Sequence, residues 1–195
     1  MSLAVQTAFF GPDFVWDNVP NARLRKPPLR APRVLSREEL IVGGLCHCVL
    51  PDLAKRHLLR PIRALVIGAI QRARMIAQML SGLTRSFEVL AIDSCPQVVA
   101  NARGLRCSGL QFACLEFPFE IDLPNGAGAA YDLVLCGDFL STLDGLPQAL
   151  AIERVACVLR KGGVLALATT GNVAPPRGLH IYPKTFPTRL FFQRT

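Results

Sequence analysis

From residue 63 onward, apolar positions alternate between two rhythms. Residues 63–68, RALVIG, form a short apolar run behind Arg63, and Met75, Ile76, Met79, Leu80 and Leu83 then recur at helical spacing. This predicts a buried strand followed by an amphipathic helix. Residues 87–92, FEVLAI, repeat the strand rhythm and stop at Asp93. Ser94 is placed to cap the next helix, Pro96 suits its first turn, and Val98, Val99 and Ala102 supply its apolar face. A third strand is expected over 110–115, followed by a loop over 116–130 that holds Pro118, Pro124 and NGAGAA. Residues 131–136, YDLVLC, have Asp132 at the entrance and then the continuous apolar run of a central parallel strand. Residues 146–160 read as a helix with Leu150, Val155, Val158 and Leu159 inward, and Lys161, Gly162 and Gly163 turn the chain into the strand VLALAT.

Strand and helix alternating four times or more predicts an α/β fold with a mostly parallel, right-handed sheet. The tail over 171–195 breaks the rhythm. LHIY and RLFF are short strand candidates separated by prolines, suited to a C-terminal antiparallel hairpin.

Ahead of the α/β core, residues 36–60 predict a helical lead-in. Ser36 through Glu39 has the form of a capping box, Leu40, Ile41, Gly44, Leu45 and Cys48 share a face, and Pro51 begins a second piece with Leu53, His57 and Leu58 in its stripe, which Pro61 ends. Residues 1–35 differ in kind. Phe9, Phe10, Phe14 and Trp16 precede RLRKPPLRAPR, whose prolines favour extended backbone, so this stretch reads as a basic Pro/Arg-rich arm. The organisation expected is therefore an arm over 1–35 and a domain over 36–195, with the α/β core at 61–170 and closing strands at 171–195.

Composition agrees with one buried core: 195 residues, 51% hydrophobic and 18% charged. Arg63 and Arg72 bracket the most apolar run, which is too short to span a bilayer, so the chain reads as soluble, with no membrane partner. The net charge of +8 is uneven, with +5 over residues 1–63, −4 over 64–153 and +7 over 154–195. Basic ends of this kind suit phosphate or an acidic partner as well as plain solvation. The seven cysteines lack paired CxxC spacing, and Cys46-His47-Cys48 has no second cluster to complete a zinc site, so reduced, buried thiols in a cytoplasmic protein and no metal are expected. A short apolar start followed by Pro12, Asp13 and Asp17 argues against a secretory signal. The same acids weigh against a mitochondrial presequence, for which Arg23, Arg25, Arg30 and Arg33 would be the basis.

Ligands of open α/β sheets sit beyond the carboxyl ends of the strands, near the switch point. Those ends carry Gly68 with Ala69 and Ile70, then Asp93 with Ser94, then Leu115 with Glu116, then Gly137 with Asp138. A carboxylate after the second strand offers paired acceptors for the two hydroxyls of a ribose; a turn or capping acid is the structural alternative.

The order RALVIG, VLAIDSCPQVVANAR, YDLVLCGDFLSTL and VLRKGGVLALATTG resembles the Rossmann-like, seven-stranded S-adenosylmethionine-dependent methyltransferases over about residues 60–170. The resemblance implies a doubly wound sheet, S-adenosyl-L-methionine as cofactor, and methyl transfer to a small molecule or RNA by in-line displacement governed by positioning. It implies cofactor contacts at Gly68, Ala69 and Ile70 of the loop, ribose binding at Asp93 beside Ser94, an acid near the adenine at Glu116, and a border of the transfer site at Gly137 and Asp138. The catalytic residue is left unassigned; His180 and Tyr182 are polar candidates in the tail. The chain departs from the family's pattern at Val66, where an acid is usual, and at Ile70 and Arg72, where the loop has glycines. If those two positions needed left-handed backbone, each would cost about 1–2 kcal/mol. The alternative is a catalytically inactive methyltransferase-like domain that serves as a binding or scaffold subunit, with a protein partner on the basic arm. A nicotinamide-dependent oxidoreductase is a third reading that fits the later segments less well.

Overall fold

The computed structural model describes residues 37–57, 59–104, 107–114, 131–137, 140, 146–167, 176–182 and 191–194. These lie within the unit Leu35–Thr195. Ser36 of the expected capping box, the arm over 1–35 and Leu58 fall outside the described residues.

The lead-in forms helix α1 (Arg37–Gly44), a π turn (Leu45–Val49) and helix α2 (Leu50–Arg56) without a break. The wide turn has a local cause. Pro51 has no N–H to continue the α ladder, and just before it the N–H of Leu50 bonds the carbonyl of Leu45, five residues back. The buried face is Ile41, Gly44, Leu45, Val49, Leu50 and Leu53.

The core then runs β1 (Ile62–Ile67), α3 (Ile70–Leu83), β2 (Phe87–Asp93), α4 (Pro96–Arg103), β3 (Leu110–Cys114), β4 (Tyr131–Cys136), α5 (Leu146–Val158), β5 (Leu159–Leu167), β6 (Leu179–Ile181) and β7 (Phe191–Arg194). Seven strands make one sheet in the order β3-β2-β1-β4-β5-β7-β6. The five strands β1 to β5 pair in parallel, and β7 lies antiparallel between β5 and β6, which is the closing hairpin expected of LHIY and RLFF. The chain moves outward from β1 to β3, then returns to place β4 on the other side of β1. The switch point therefore lies between the carboxyl ends of β1 and β4.

Apolar side chains fill both faces of the sheet. On one face Ala64, Val66, Val89, Ala91, Leu133 and Leu135 meet α1 to α4 and the hairpin; on the other Leu65, Ile67, Ile92, Val134 and Leu165 meet α5. Alternate residues of β1 thus serve opposite faces, which is why its run is continuous rather than alternating. Gly44 of α1 rests on the Phe191 ring of β7, where a Cβ would approach Phe191 Cε2 to 2.6 Å.

Three helix faces differ from expectation. Leu150 is 49% exposed while Ala151, Ile152, Val155 and Val158 are buried, because the 3.6-residue period carried back from Val155 reaches 151 and 152 instead of 150. Val98 is turned out while Val99 and Ala102 face the sheet, a short helix having room for a narrow stripe only. Leu83, at the end of α3, is 45% exposed. The Lys161-Gly162-Gly163 segment is not a separate turn but part of β5, bulged so that Tyr131 pairs with Leu159 and Leu133 with Val164; Gly162 takes a φ of 78° there.

At the amino ends of the strands, Asp132 is 1% exposed and clamps three segments together. Arg60 donates two hydrogen bonds to it, Nη2 to Oδ1 at 2.6 Å and Nη1 to Oδ2 at 3.0 Å, and the Arg63 N–H donates to Oδ2 at 2.9 Å. His57 and Arg160 each approach it to 3.5 Å. The Arg194 guanidinium donates to the Cys157 carbonyl at 3.1 Å, so a residue of β7 closes the carboxyl end of α5. Among the described residues no helix is long and apolar enough to cross a membrane.

Candidate functional site at the carboxyl ends of the strands

Gly68 leaves β1 with φ 63°, a left-handed conformation that glycine adopts without a Cβ penalty. Its N–H donates to the Ile92 carbonyl at 2.9 Å, tying the end of β1 to the end of β2. Gly137 continues β4, and its N–H donates to the Ile67 carbonyl at 2.7 Å, tying β4 to β1 from the other side. The two glycines meet: a Cβ on Gly137 would lie 2.4 Å from the Gly68 carbonyl oxygen and 3.0 Å from Ala69 Cβ. The switch point is thus a close contact of two backbones, and only glycine at 137 permits it.

Helix α3 begins immediately after this loop. Ala69 is its N-cap with φ −149°, and no side chain caps it; Ile70 and Arg72 already belong to the helix. The left-handed penalty expected at Ile70 and Arg72 therefore does not arise, because the chain needs positive φ at Gly68 alone and enters the helix two residues later. Ile70 is 7% exposed and packs in the core with Val66 and Ala73, so only its backbone is left to the loop.

Asp93 closes β2 and is half-buried. The Cys95 N–H donates to its Oδ1 at 2.9 Å, the local turn that an aspartate forms with the backbone two residues on. Cys95, not Ser94, is the N-cap of α4, without a side-chain cap bond, and Pro96 occupies the first turn as expected. Ser94 is exposed beside Asp93. The Asp93–Cys95 turn is the local role that the sequence offered for this acid beside ribose binding, and it engages Oδ1 only.

The structure brings Gly68, Ala69 and Gly137 into one contact, with Asp93 and Ser94 at the adjacent strand end. Glu116 and Asp138 lie outside the described residues. His180 and Tyr182 join no such cluster. His180 is exposed on the edge strand β6, and Tyr182 is 1% exposed and donates to Asp52 Oδ2 of α2 at 2.7 Å. Burial and the hydrogen bond to that carboxylate push the Tyr182 hydroxyl well above the usual tyrosine range.

The cysteines correct the expectation of buried thiols. Cys136 alone is buried, and burial pushes its thiol up strongly; Cys46, Cys48 and Cys107 are half-buried, and Cys95, Cys114 and Cys157 are exposed. Several lie at element ends, where a side chain need not enter the core. Among the described residues no cluster of three or more His, Cys, Asp or Glu is arranged to hold a metal ion.

No family profile and no curated protein matches the sequence. Solved structures do match. The DszA carbon methyltransferase superposes with a TM-score of 0.54 at 20% identity, over 67% of this chain and 34% of its own. The plantazolicin methyltransferase BpumL, solved with a pentazolic desmethylPZN analog and SAH, superposes with a TM-score of 0.51 at 17% identity, over 67% of this chain and 46% of its own. The chain thus spans a third to a half of the length of these proteins. Likeness at such identity speaks to the fold, and with the strand order it settles that: the chain has the Rossmann-like, seven-stranded fold of the S-adenosylmethionine-dependent methyltransferases.

Proposed function

We propose that the protein is an S-adenosylmethionine-dependent methyltransferase acting on a small molecule or RNA. The observation that carries this reading is the Gly68–Gly137 contact at the switch point with Asp93 at the neighbouring strand end. The donor set fits the cofactor. Gly68 presents bare backbone in the conformation that lets a ligand approach closely, and Asp93 keeps Oδ2 beyond the oxygen used by the Cys95 turn.

Gly68, Ala69 and the Ile70 backbone would border the methionine end of the cofactor, Asp93 with Ser94 the ribose, and Gly137 the sulfonium side. Glu116 and Asp138 would add an acid near the adenine and a second border of the transfer site. Bound S-adenosylmethionine supplies an electrophilic methyl group on a cationic sulfur. The chain's own contribution is then orientation: two fixed strand ends and one acid hold the donor, and alignment of the acceptor lowers the barrier.

A second reading, a methyltransferase-like binding or scaffold domain, draws on Val66, which is fully buried in β1 and leaves that strand without an acid. The basic arm over 1–35 would then engage a protein partner. Titration calorimetry with S-adenosylmethionine and S-adenosylhomocysteine separates the two. Binding that weakens about tenfold or more in Asp93→Ala supports the enzyme, and no heat at millimolar cofactor supports the scaffold.

A further inference from the structure

Two exposed thiols flank Asp93, and neither has a part in the proposed methyl transfer. Cys114 ends β3 in parallel register with Asp93 at the end of β2. Adjacent strands run about 4.8 Å apart, so Cys114 begins one strand spacing from the acid. Cys95 is brought back toward the same point. Its N–H is bonded to Asp93 Oδ1 at 2.9 Å, which folds the Asp93-Ser94-Cys95 turn over the end of β2. The sulfur of Cys114 then lies 3.7 Å from the Ser94 carbonyl oxygen, the carbonyl joined directly to the Cys95 nitrogen. The Cys114 sulfur therefore touches the peptide unit that leads into Cys95. A disulfide needs Cα atoms about 4.4–6.8 Å apart, and the strand register with the Asp93 turn brings the two cysteines to the same strand end, where the side chains can turn toward each other.

We propose that Cys95 and Cys114 are a modification site, a dithiol that peroxide closes to a disulfide across the Asp93 turn. The chemistry balances with hydrogen peroxide as oxidant. One thiolate attacks the peroxide O–O bond to give a sulfenic acid and release one water; the second thiolate attacks that sulfur, forming the S–S bond and releasing a second water. The two sulfurs lose two electrons together, and the peroxide takes them up. Exposure of both sulfurs and their placement on consecutive strand ends favour this pair over Cys157, which is exposed on α5 well apart in the fold, and over Cys136, which is buried. The bond would hold the turn that carries Asp93. Its effect on ligand binding rests on the cofactor role proposed above for that acid, whereas its formation does not.

The test treats the full-length protein with a stoichiometric excess of hydrogen peroxide and maps disulfides by mass spectrometry of non-reduced peptides. The expected product is a Cys95–Cys114 cross-link with loss of two hydrogens, reversed by dithiothreitol, absent in Cys95→Ser and in Cys114→Ser, and retained in Cys157→Ser. Independent sulfenic or sulfinic adducts without the cross-link would overturn the pairing, as would preferential linkage to another cysteine. Calorimetry with S-adenosylhomocysteine on reduced and cross-linked protein then reads the consequence, expected as a severalfold change in affinity. Equal affinity of the two forms overturns the regulatory consequence. Binding by neither form overturns the methyltransferase reading and leaves the cross-link to be judged by mass alone.

Discussion

The backbone of Gly137 rests on that of Gly68, so closely that a Cβ at position 137 would stand 2.4 Å from the Gly68 carbonyl oxygen and 2.9 Å from its carbonyl carbon. One residue directly follows β4 and the other directly follows β1, on the two sides of the point where the strand order reverses. The contact fixes the floor of the candidate site.

Gly137→Ala must push these two strand ends apart, since the obstacle is backbone and not the tip of a flexible side chain. The expected loss of stability is about 1–3 kcal/mol by the usual cost of overpacking, together with weaker cofactor binding. Urea unfolding followed by circular dichroism, with calorimetry on the folded variant, checks both. A wild-type midpoint and wild-type affinity would show that the loops have slack.

Asp93→Asn keeps an oxygen for the Cys95 N–H and removes the charge, whereas Asp93→Ala removes both. The asparagine variant is expected to unfold like the wild type and to bind S-adenosylmethionine about tenfold more weakly, which is about 1.4 kcal/mol. The alanine variant is expected to lose at least as much affinity and to loosen the start of α4. Equal binding by all three would remove Asp93 from the ribose role.

Asp132→Ala removes the acceptor shared by the Arg60 guanidinium and the Arg63 N–H. Arg60 keeps 38% of its side chain exposed, so water solvates the cation left behind, and the expected cost is about 1–3 kcal/mol for the lost hydrogen bonds and the unpaired N–H. Chemical denaturation checks the magnitude. Since this clamp lies at the amino ends of the strands, any cofactor affinity of protein that remains folded is expected to stay near the wild-type value.

His57 supplies a pH dependence of defined sign. Burial holds its pKa below 6.5; the Asp132 carboxylate opposes this, while Arg60, Arg56 and Arg160 reinforce it. The folded state thus binds the proton less readily than the unfolded state. The contribution is fully present above pH 6.5 and fades as pH falls through the lower folded value. Replacing His57 with Gln is expected to flatten the decline in unfolding midpoint as pH falls below about 6.5, measured against the wild type in the same buffers. An unchanged slope would assign the decline to carboxylates.

The sequence by itself determined the α/β alternation, the five parallel strands, the closing pair and the presence of Gly68, Asp93 and Gly137 at strand ends. Those features are written in local pattern: continuous apolar runs for strands buried on both faces, 3.6-residue spacing for α3, and a change of rhythm after residue 170. Tertiary structure decided what local pattern does not encode. The helix faces shifted at Leu150 and Val98 because burial depends on how a helix is rotated against the sheet. The loop at Ile70 and Arg72 proved helical because a single positive φ at Gly68 was enough to redirect the chain. The approach of Gly137 to Gly68, the recruitment of Arg60 to Asp132 across 72 positions, and the meeting of Cys114 with the Asp93 turn are all contacts between segments distant in sequence. Their partners are set by strand order and register, which exist only once the sheet has assembled.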